Sequence, residues 1–181
     1  MNYNIKYIYF IIIFILIIII NEFIQGLLRQ KERYDIYKLA KDKSLKINKK
    51  LLVVGDPYYG HGSKFYSLFM KNYDCGDITI DLTGAPKCHN SYKIDILSYL
   101  KKQPSNSLVI FISCVLEYVD DIDDIINEIN RVAGDASNIF IVTVTKYSLS
   151  AYIYSDMYSK SKYIIDAPPL YNIITYKKIN T

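Results

Sequence analysis

The sequence predicts an α/β protein, with a doubly wound, mainly parallel sheet preceded by one N-terminal transmembrane helix. Three observations predict this class. Fourteen consecutive apolar or aromatic residues run from Tyr7 to Ile20. Short apolar runs at Leu51–Val54 and Leu108–Ser113 are typical of strands buried on both faces of a sheet. Segments with helical spacing separate these runs, and such alternation indicates a parallel sheet.

The N-terminal apolar run predicts a membrane anchor over residues 1–28. The Tyr7–Ile20 helix alone would rise about 21 Å, which is short of the ~30 Å hydrocarbon core of a bilayer. Phe23, Ile24, Leu27 and Leu28 continue the apolar character and complete a span. A cleaved signal peptide is the alternative, but no small-x-small cleavage site follows the run, which favours an uncleaved anchor.

Charge is distributed unevenly along the chain. Residues 1–50 contain ten Lys/Arg and four Asp/Glu, a net of +6, whereas residues 51–181 contain twelve and fourteen, a net of −2. The second part shows no basic stripe, so no nucleic-acid partner is expected. The basic residues follow the apolar run, and the positive-inside rule therefore predicts a cytoplasmic C-terminal domain; they are Arg29, Lys31, Arg33, Lys38, Lys41 and Lys43.

The same basic stretch, residues 29–50, predicts a juxtamembrane helix or linker that either touches anionic lipid headgroups or is simply solvated. The three cysteines are odd in number and widely spaced: Cys75, Cys88 and Cys114. This pattern predicts free thiols in a reducing compartment rather than a disulfide framework. No zinc-like pairing of Cys and His is present in the sequence, so no metal is expected.

Residues 51–181 predict the α/β domain itself. After the strand at Leu51–Val54, a glycine-bearing loop leads into a helix at 63–69 with Ser63 as a candidate N-cap, and further strands are expected at 77–81, 108–113 and 139–144. A short helix is expected at 96–102. The strongest helix is expected at 120–132, because its apolar residues form one stripe and Gly134 can cap it. Segments 163–165 and 173–176 are expected to pair as a hairpin.

Candidate binding residues fall where the predicted strands end. In an open parallel sheet, ligands bind outside the carboxyl ends of the strands. Gly55, Gly60 and Gly62 follow the first strand and allow the backbone to approach a ligand closely. Asp81 ends the second strand, where a carboxylate can accept both hydrogen bonds of a ribose diol, and Asp95 opens a later loop, where it either reaches an adenine edge or caps the short helix.

One segment carries a family resemblance. Residues 113–121 read Ser-Cys-Val-Leu-Glu-Tyr-Val-Asp-Asp, and the helix that follows ends in Glu-Ile-Asn-Arg-Val at residue 132. This segment resembles the class I S-adenosylmethionine-dependent methyltransferases, in which a strand ends in a Val-Leu-Glu-His-like sequence and a helix ending in Glu-x-x-Arg-Val follows. The order of the other elements between about residues 50 and 145 agrees with that family.

The resemblance implies a Rossmann-like methyltransferase fold and S-adenosylmethionine as the cofactor. It places the Gly55–Gly62 loop along the amino-acid part of the cofactor, Asp81 at the ribose and Asp95 near the adenine. Several positions depart from the family pattern. Val53 stands at an acidic position, four residues separate Gly55 from Gly60, and Tyr118 stands where His is common.

The functional expectation is a membrane-anchored methyltransferase-like protein whose methyl acceptor and catalytic residues the sequence does not name. The alternative is a catalytically inactive methyltransferase-like binding or scaffold module at a membrane, which the altered glycine loop favours. A nicotinamide-dependent reductase is a third reading, suggested by Tyr158-x-x-x-Lys162, but Tyr and Lys are so abundant here that chance produces such pairs. His61 in the glycine loop is a lone histidine, and a direct role for it is not expected.

Overall fold

The computed structural model describes residues 3–58, 63–116, 119, 122–142, 163–166 and 175–178. The elements follow one another along the chain as α1 (Tyr3–Ile47), β1 (Lys50–Val54), α2 (Ser63–Tyr66), β2 (Ile78–Asp81), β3 (Ser91–Lys93), α3 (Ile96–Leu100), β4 (Leu108–Ser113), α4 (Ile122–Ala133), a 3-10 turn (Ala136–Asn138), β5 (Ile139–Val142), β6 (Tyr163–Asp166) and β7 (Thr175–Lys178).

Five strands form one parallel sheet in the order β3-β2-β1-β4-β5. The register aligns Leu52 with Ile78 on one side and with Ile110 on the other. The predicted parallel α/β sheet is therefore confirmed, and β4 has the predicted bounds. β3 was not expected from the sequence, since its three residues are polar or aromatic and none of them is buried.

α1 is one unbroken helix of 45 residues, with two environments along its length. Nearly every side chain from Lys6 to Ile20 is exposed, and the helix from Lys6 to Ile47 that contains these residues is long and apolar enough to cross a membrane. Further along, Ile36, Tyr37 and Ala40 are buried against one face of the sheet. The stretch 29–50, expected as a juxtamembrane helix or linker, is therefore helical to Ile47 and also forms one packing layer of the α/β fold.

The opposite face of the sheet is covered by α3 and α4. The apolar stripe of α4 packs there as its spacing predicted, with Ile125, Ile129 and Val132 buried. Gly134 ends the helix with a φ of +74°, and its N–H donates to the carbonyl of Asn130. The expected glycine cap is confirmed, because a left-handed residue at this position is strained for any residue with a Cβ.

Cys75 and Cys88 form a disulfide, with their Cα atoms 5.6 Å apart. The expectation of three free thiols is wrong, and of the three cysteines Cys114 is the one outside the disulfide. Cys75 precedes β2 and Cys88 precedes β3, so the bridge joins the chain on either side of β2. Spacing along the sequence did not reveal the pair, because the adjacent parallel strands β2 and β3 bring the two residues together.

β6 and β7 pair antiparallel as a separate two-stranded sheet, with Tyr163 opposite Lys178. The expected C-terminal hairpin is confirmed, and its second strand begins two residues later than predicted. Residues 143–162, which include the Tyr158/Lys162 pair, lie outside the described part of the chain.

Candidate functional site

The order of the strands reverses between β1 and β4. From β1 the chain proceeds outward through β2 and β3, and it then returns to the other side of β1 to form β4 and β5. Ligands of open parallel sheets bind outside the carboxyl ends of the strands at such a switch point. The residues that follow β1 and β4 therefore form the candidate binding site.

Gly55 lies directly at this switch point. Its φ is +102°, a conformation that glycine adopts without strain. A Cβ at this position would approach the Ser113 carbonyl oxygen of β4 to 3.2 Å and the Val115 side chain to 3.2 Å. The glycine thus lets the first loop lie against the end of β4, beside the switch point where ligands of open parallel sheets bind.

Asp81, at the end of β2, is linked to the same loop. One carboxylate oxygen accepts from the backbone N–H of Asp56 at 3.0 Å. The other accepts from the backbone N–H and the hydroxyl of Thr83, at 2.7 and 2.6 Å, and from the N–H of Gly84 at 3.2 Å. Four donors therefore already organise this carboxylate, and it ties the β1 loop to the β2 loop.

Asp56 follows Gly55 and is buried. Its side chain accepts from the N–H of Tyr58 at 2.7 Å, while its own N–H is bonded to Asp81. The loop therefore begins as a tight turn whose backbone is ordered by two carboxylates. Gly60, His61 and Gly62, further along the same loop, lie outside the described residues.

Asp95 lies at the same edge of the sheet but performs a local role. The N–H of the preceding Ile94 donates to the backbone carbonyl of Asp81, which brings the loop after β3 beside the end of β2. The Asp95 side chain accepts from the N–H of Ser98 at 2.9 Å and caps α3. The Ser98 contact lowers the pKa of Asp95 below its usual range. Of the two roles weighed for this residue, the structure shows the helix cap.

A buried polar cluster beneath the switch point was missed by sequence reasoning. Tyr73 is 3% exposed, and its hydroxyl lies beside the Ser113 side chain and under Gly55. Burial raises the pKa of Tyr73 to about 12, although the Arg33 charge and the Ser113 hydroxyl both oppose this shift. The phenol therefore stays neutral at physiological pH and can serve as a hydrogen-bond donor under the first loop.

Arg33 reaches this cluster from α1, where it is buried rather than solvated. A signal for this was present in the sequence. One helical face repeats at alternating steps of three and four residues, and its members are buried in the structure: Gln30, Arg33, Tyr37, Ala40 and Ser44. Because three of these five side chains are polar or charged, the face does not stand out as an apolar stripe.

Gln30 connects α1 to the segment that carries Tyr73. It is almost fully buried, and its amide donates to the Asn72 side chain at 2.9 Å. The Asn72 amide in turn donates to the carbonyl of Pro57. A chain of amides that begins on α1, after its apolar part, thus holds the first loop in place.

Two other expectations concern residues 117–118 and metal binding. Glu117 and Tyr118, in the segment that carries the family resemblance, lie outside the described residues. Within the described part of the chain, no group of three or more His, Cys, Asp or Glu side chains lies close enough to hold a metal ion. The expectation of no metal stays a prediction.

Comparisons of this chain with protein-family models, with curated proteins and with solved structures each found no match. The described residues of the site are a glycine at the switch point, two carboxylates that order the adjoining loops, and a neutral buried phenol beneath them. They make up a candidate binding site at the switch point, and the described residues in it include no nucleophile–base pair.

Proposed function

We propose that this chain is a membrane-anchored, S-adenosylmethionine-dependent methyltransferase-like protein that binds its cofactor at the carboxyl ends of β1 and β2. The observation that carries the proposal is Gly55, left-handed at the switch point of a five-stranded parallel sheet. The strand order is that of the doubly wound nucleotide-binding folds. The resemblance of residues 113–132 to class I methyltransferases selects this cofactor among the nucleotides that such folds hold.

The chain's own residues would bind and orient the cofactor. S-adenosylmethionine supplies a methyl group already activated on a sulfonium, so the protein has mainly to position an acceptor. The backbone at Gly55 would lie along the amino-acid part, with Gly60 and Gly62 assigned to the same loop by the resemblance. Asp81 would meet the ribose, and Asp95 would lie near the adenine.

A second candidate is a catalytically inactive relative that serves as a binding module at the membrane, and Asp81 favours it. A carboxylate oxygen has about two acceptor positions. One Asp81 oxygen receives three donors and the other receives one, so a single acceptor position remains for a ribose hydroxyl. A bidentate ribose contact would require the Thr83 turn to open.

The membrane part of the proposal rests on α1. Its apolar part is taken as a single-pass, uncleaved anchor, and the bilayer is the first partner of the chain. Two features predict opposite sides for the domain. The basic residues after the span favour the cytoplasm, whereas the Cys75–Cys88 disulfide is typical of an oxidising compartment. The cytoplasmic placement is retained as a prediction that now rests on charge alone.

Binding of S-adenosylmethionine to the full chain tests the proposal. The full chain is needed because a fragment that begins near residue 45 would lose Ile36, Tyr37 and Ala40 and expose one face of the sheet. The purified protein in lipid nanodiscs would be titrated with S-adenosylmethionine by calorimetry. We expect saturable binding in the micromolar range. A reduced nicotinamide nucleotide is titrated in parallel, and binding of that ligand alone would favour the reductase reading.

Asp81→Asn supplies the matched variant, and Asp135→Asn is its control. Asp135 also orders a turn through its carboxylate, by accepting from the N–H of Ser137 at 2.7 Å, but it lies at the amino end of β5. We expect Asp81→Asn to weaken binding about tenfold, a loss of about 1.4 kcal/mol, and Asp135→Asn to leave it unchanged. A folded chain that does not bind the cofactor would refute the methyltransferase assignment. The same result would also exclude an inactive relative that still binds the cofactor.

A further inference from the structure

Three large apolar side chains on α2 and the turn after it are exposed. Phe65 is 51% exposed, Leu68 is 77% exposed and Phe69 is 58% exposed, although they lie within five residues of one another. A cluster of large apolar side chains presented to solvent marks a surface that contacts a protein, a ligand or a membrane. We refer to Phe65, Leu68 and Phe69 as the α2 patch.

The α2 patch is joined to the apolar part of α1. The Phe23 ring lies edge-on to the Phe65 and Phe69 rings, with centroids 6.1 and 5.7 Å apart. One turn further along α1, the Tyr66 ring occupies the space where a side chain at Gly26 would lie. A glycine inside a helix lowers its stability, and here it permits α2 to lie directly against α1.

The length of the span fixes where the bilayer surface must fall. About 20 helical residues are needed to cross ~30 Å of hydrocarbon. A span that starts at Tyr7 ends at Gly26, the residue that Tyr66 covers. A span that starts at Tyr3 ends at Glu22, whose carbonyl accepts from the Tyr66 hydroxyl at 3.4 Å. Either choice places α2 at the depth where α1 leaves the hydrocarbon.

The direction of α1 also decides which edge of the sheet faces the membrane. α1 ends at Ile47 and β1 begins at Lys50, so the helix and the strands run in opposite directions. Lys43 contacts Ser137 before β5, whereas Gln30 contacts Asn72 at the carboxyl edge. From Gln30 to Gly26 is only about 6 Å along the helix. The switch point at Gly55 therefore lies on the membrane side of the domain.

From this geometry we infer that the α2 patch is immersed in the bilayer interface beside α1 and that the carboxyl edge of the sheet opens onto the lipid surface. The inference rests on the proposed anchor and not on the proposed cofactor. Combined with the proposed methyltransferase activity, it also gives that activity an acceptor class: a lipid headgroup, or a group on a molecule held at the same interface. A free, water-soluble acceptor would have to enter between the domain and the bilayer.

Depth-dependent fluorescence quenching tests this inference on the full chain. The protein has no Trp, so each introduced Trp reports from one place. The reporter is Leu68→Trp, which is the most exposed member of the patch and tolerates a larger side chain, and Phe69→Trp is a second reporter. Ile15→Trp marks the hydrocarbon, and Leu45→Trp, 72% exposed near the far end of α1, marks the water side.

Each variant is reconstituted in phosphatidylcholine vesicles without bromine, with acyl chains brominated near the headgroup end, and with acyl chains brominated near the bilayer centre. The last set is the one that should quench Ile15→Trp, because Ile15 lies close to the middle of the span. We expect Leu68→Trp and Phe69→Trp to be quenched at least about threefold more than Leu45→Trp, and to emit at shorter wavelength, because amphipathic segments lie at the headgroup–acyl boundary. Leu45→Trp lies about 28 Å along the helix from Gly26 and should respond as a Trp in water.

The possible failures are distinguishable. If Ile15→Trp is not quenched, the proposed anchor is wrong and the inference falls with it. If Ile15→Trp is quenched but the two patch reporters match Leu45→Trp, the anchor stands and the patch faces water, which overturns the inference. A patch reporter that emits at short wavelength without quenching means that protein covers the patch, which also overturns it. Loss of cofactor binding alone leaves the inference intact.

Discussion

Replacing Tyr37 by Ala tests whether the second half of α1 belongs to the folded domain or only links it to the membrane. Tyr37 is 4% exposed, and its ring packs edge-on against Phe111 of β4, with centroids 5.7 Å apart. Its hydroxyl donates to the carbonyl of Cys75 at 2.8 Å. Truncating a buried aromatic side chain costs about 3–5 kcal/mol. Loss of the hydrogen bond is part of that cost and accounts for about 1 kcal/mol of it.

The assay is reversible urea unfolding of the full chain in detergent micelles, followed by tyrosine fluorescence and circular dichroism. We expect Tyr37→Ala to lower the free energy of unfolding by about 4 kcal/mol, a large part of the ~5–15 kcal/mol typical of a domain. Tyr37→Phe separates the hydroxyl from the ring and should cost about 1 kcal/mol. The slope of the free energy against urea should not change.

Leu39→Ala is the matched control, because Leu39 lies on the same helix but is 51% exposed. Surface substitutions of this kind usually change stability by less than about 0.5 kcal/mol. If the segment only linked the membrane to the domain, Tyr37→Ala and Leu39→Ala would have equal, small effects. A difference under about 1 kcal/mol between them would refute the packing role assigned to α1.

Three further predictions concern the loops and the disulfide. Gly55→Ala should destabilise the fold by about 1 kcal/mol more than Gly84→Ala in the same unfolding assay. Both residues have positive φ, but only at Gly55 would the added Cβ lie 3.2 Å from a β4 carbonyl oxygen, that of Ser113. Equal losses of stability would contradict this close approach. Alkylation followed by mass spectrometry should label one thiol before reduction and three after it, and three labelled thiols without reductant would contradict the bridge. Replacing Cys75 and Cys88 by Ser should lower the free energy of unfolding by about 3 kcal/mol, as expected for two cysteines 13 residues apart in the sequence. The Tyr58 hydroxyl donates to Asp74 and lowers the pKa of that carboxyl, so the ionised carboxylate stabilises the fold above the usual Asp pKa, and this stabilisation is lost as the pH falls through the lower, folded pKa. In a plot of unfolding free energy against pH, Asp74→Asn should reduce the loss of stability on the acid side, and an unchanged loss would contradict this role of Asp74.

The most strongly patterned elements were predictable from local sequence. β4 is six consecutive residues buried on both faces, and its bounds were predicted to the residue. The apolar stripe of α4 follows from apolar residues spaced at the 3.6-residue period of an α-helix. The Gly134 cap follows from the ease with which glycine adopts the left-handed conformation. β3 could not be predicted, because three residues with no buried side chain give no period-2 signal and pairing with β2 alone makes them a strand.

The candidate site was predictable only in part. Gly55, Asp81 and Asp95 were placed correctly at the carboxyl edge, since strand ends in a parallel sheet share an edge. Some of their hydrogen bonds are local: Asp95 accepts from Ser98, the cap that the sequence offered as one of two roles, and Asp81 accepts from Thr83 and Gly84. The bond from the Asp56 N–H to Asp81 was not predictable, because the two residues are 25 positions apart and only the sheet brings their loops together.

By itself, the sequence determined what depends on neighbouring residues: an apolar N-terminal helix, buried strands, an amphipathic helix, and a glycine at the first strand end. Tertiary structure alone decided three things. It turned the basic segment after the apolar run into a layer of the fold, it paired Cys75 with Cys88, and it brought the α2 patch beside Phe23. Each depends on contacts between residues at least 13 positions apart, which no local pattern encodes.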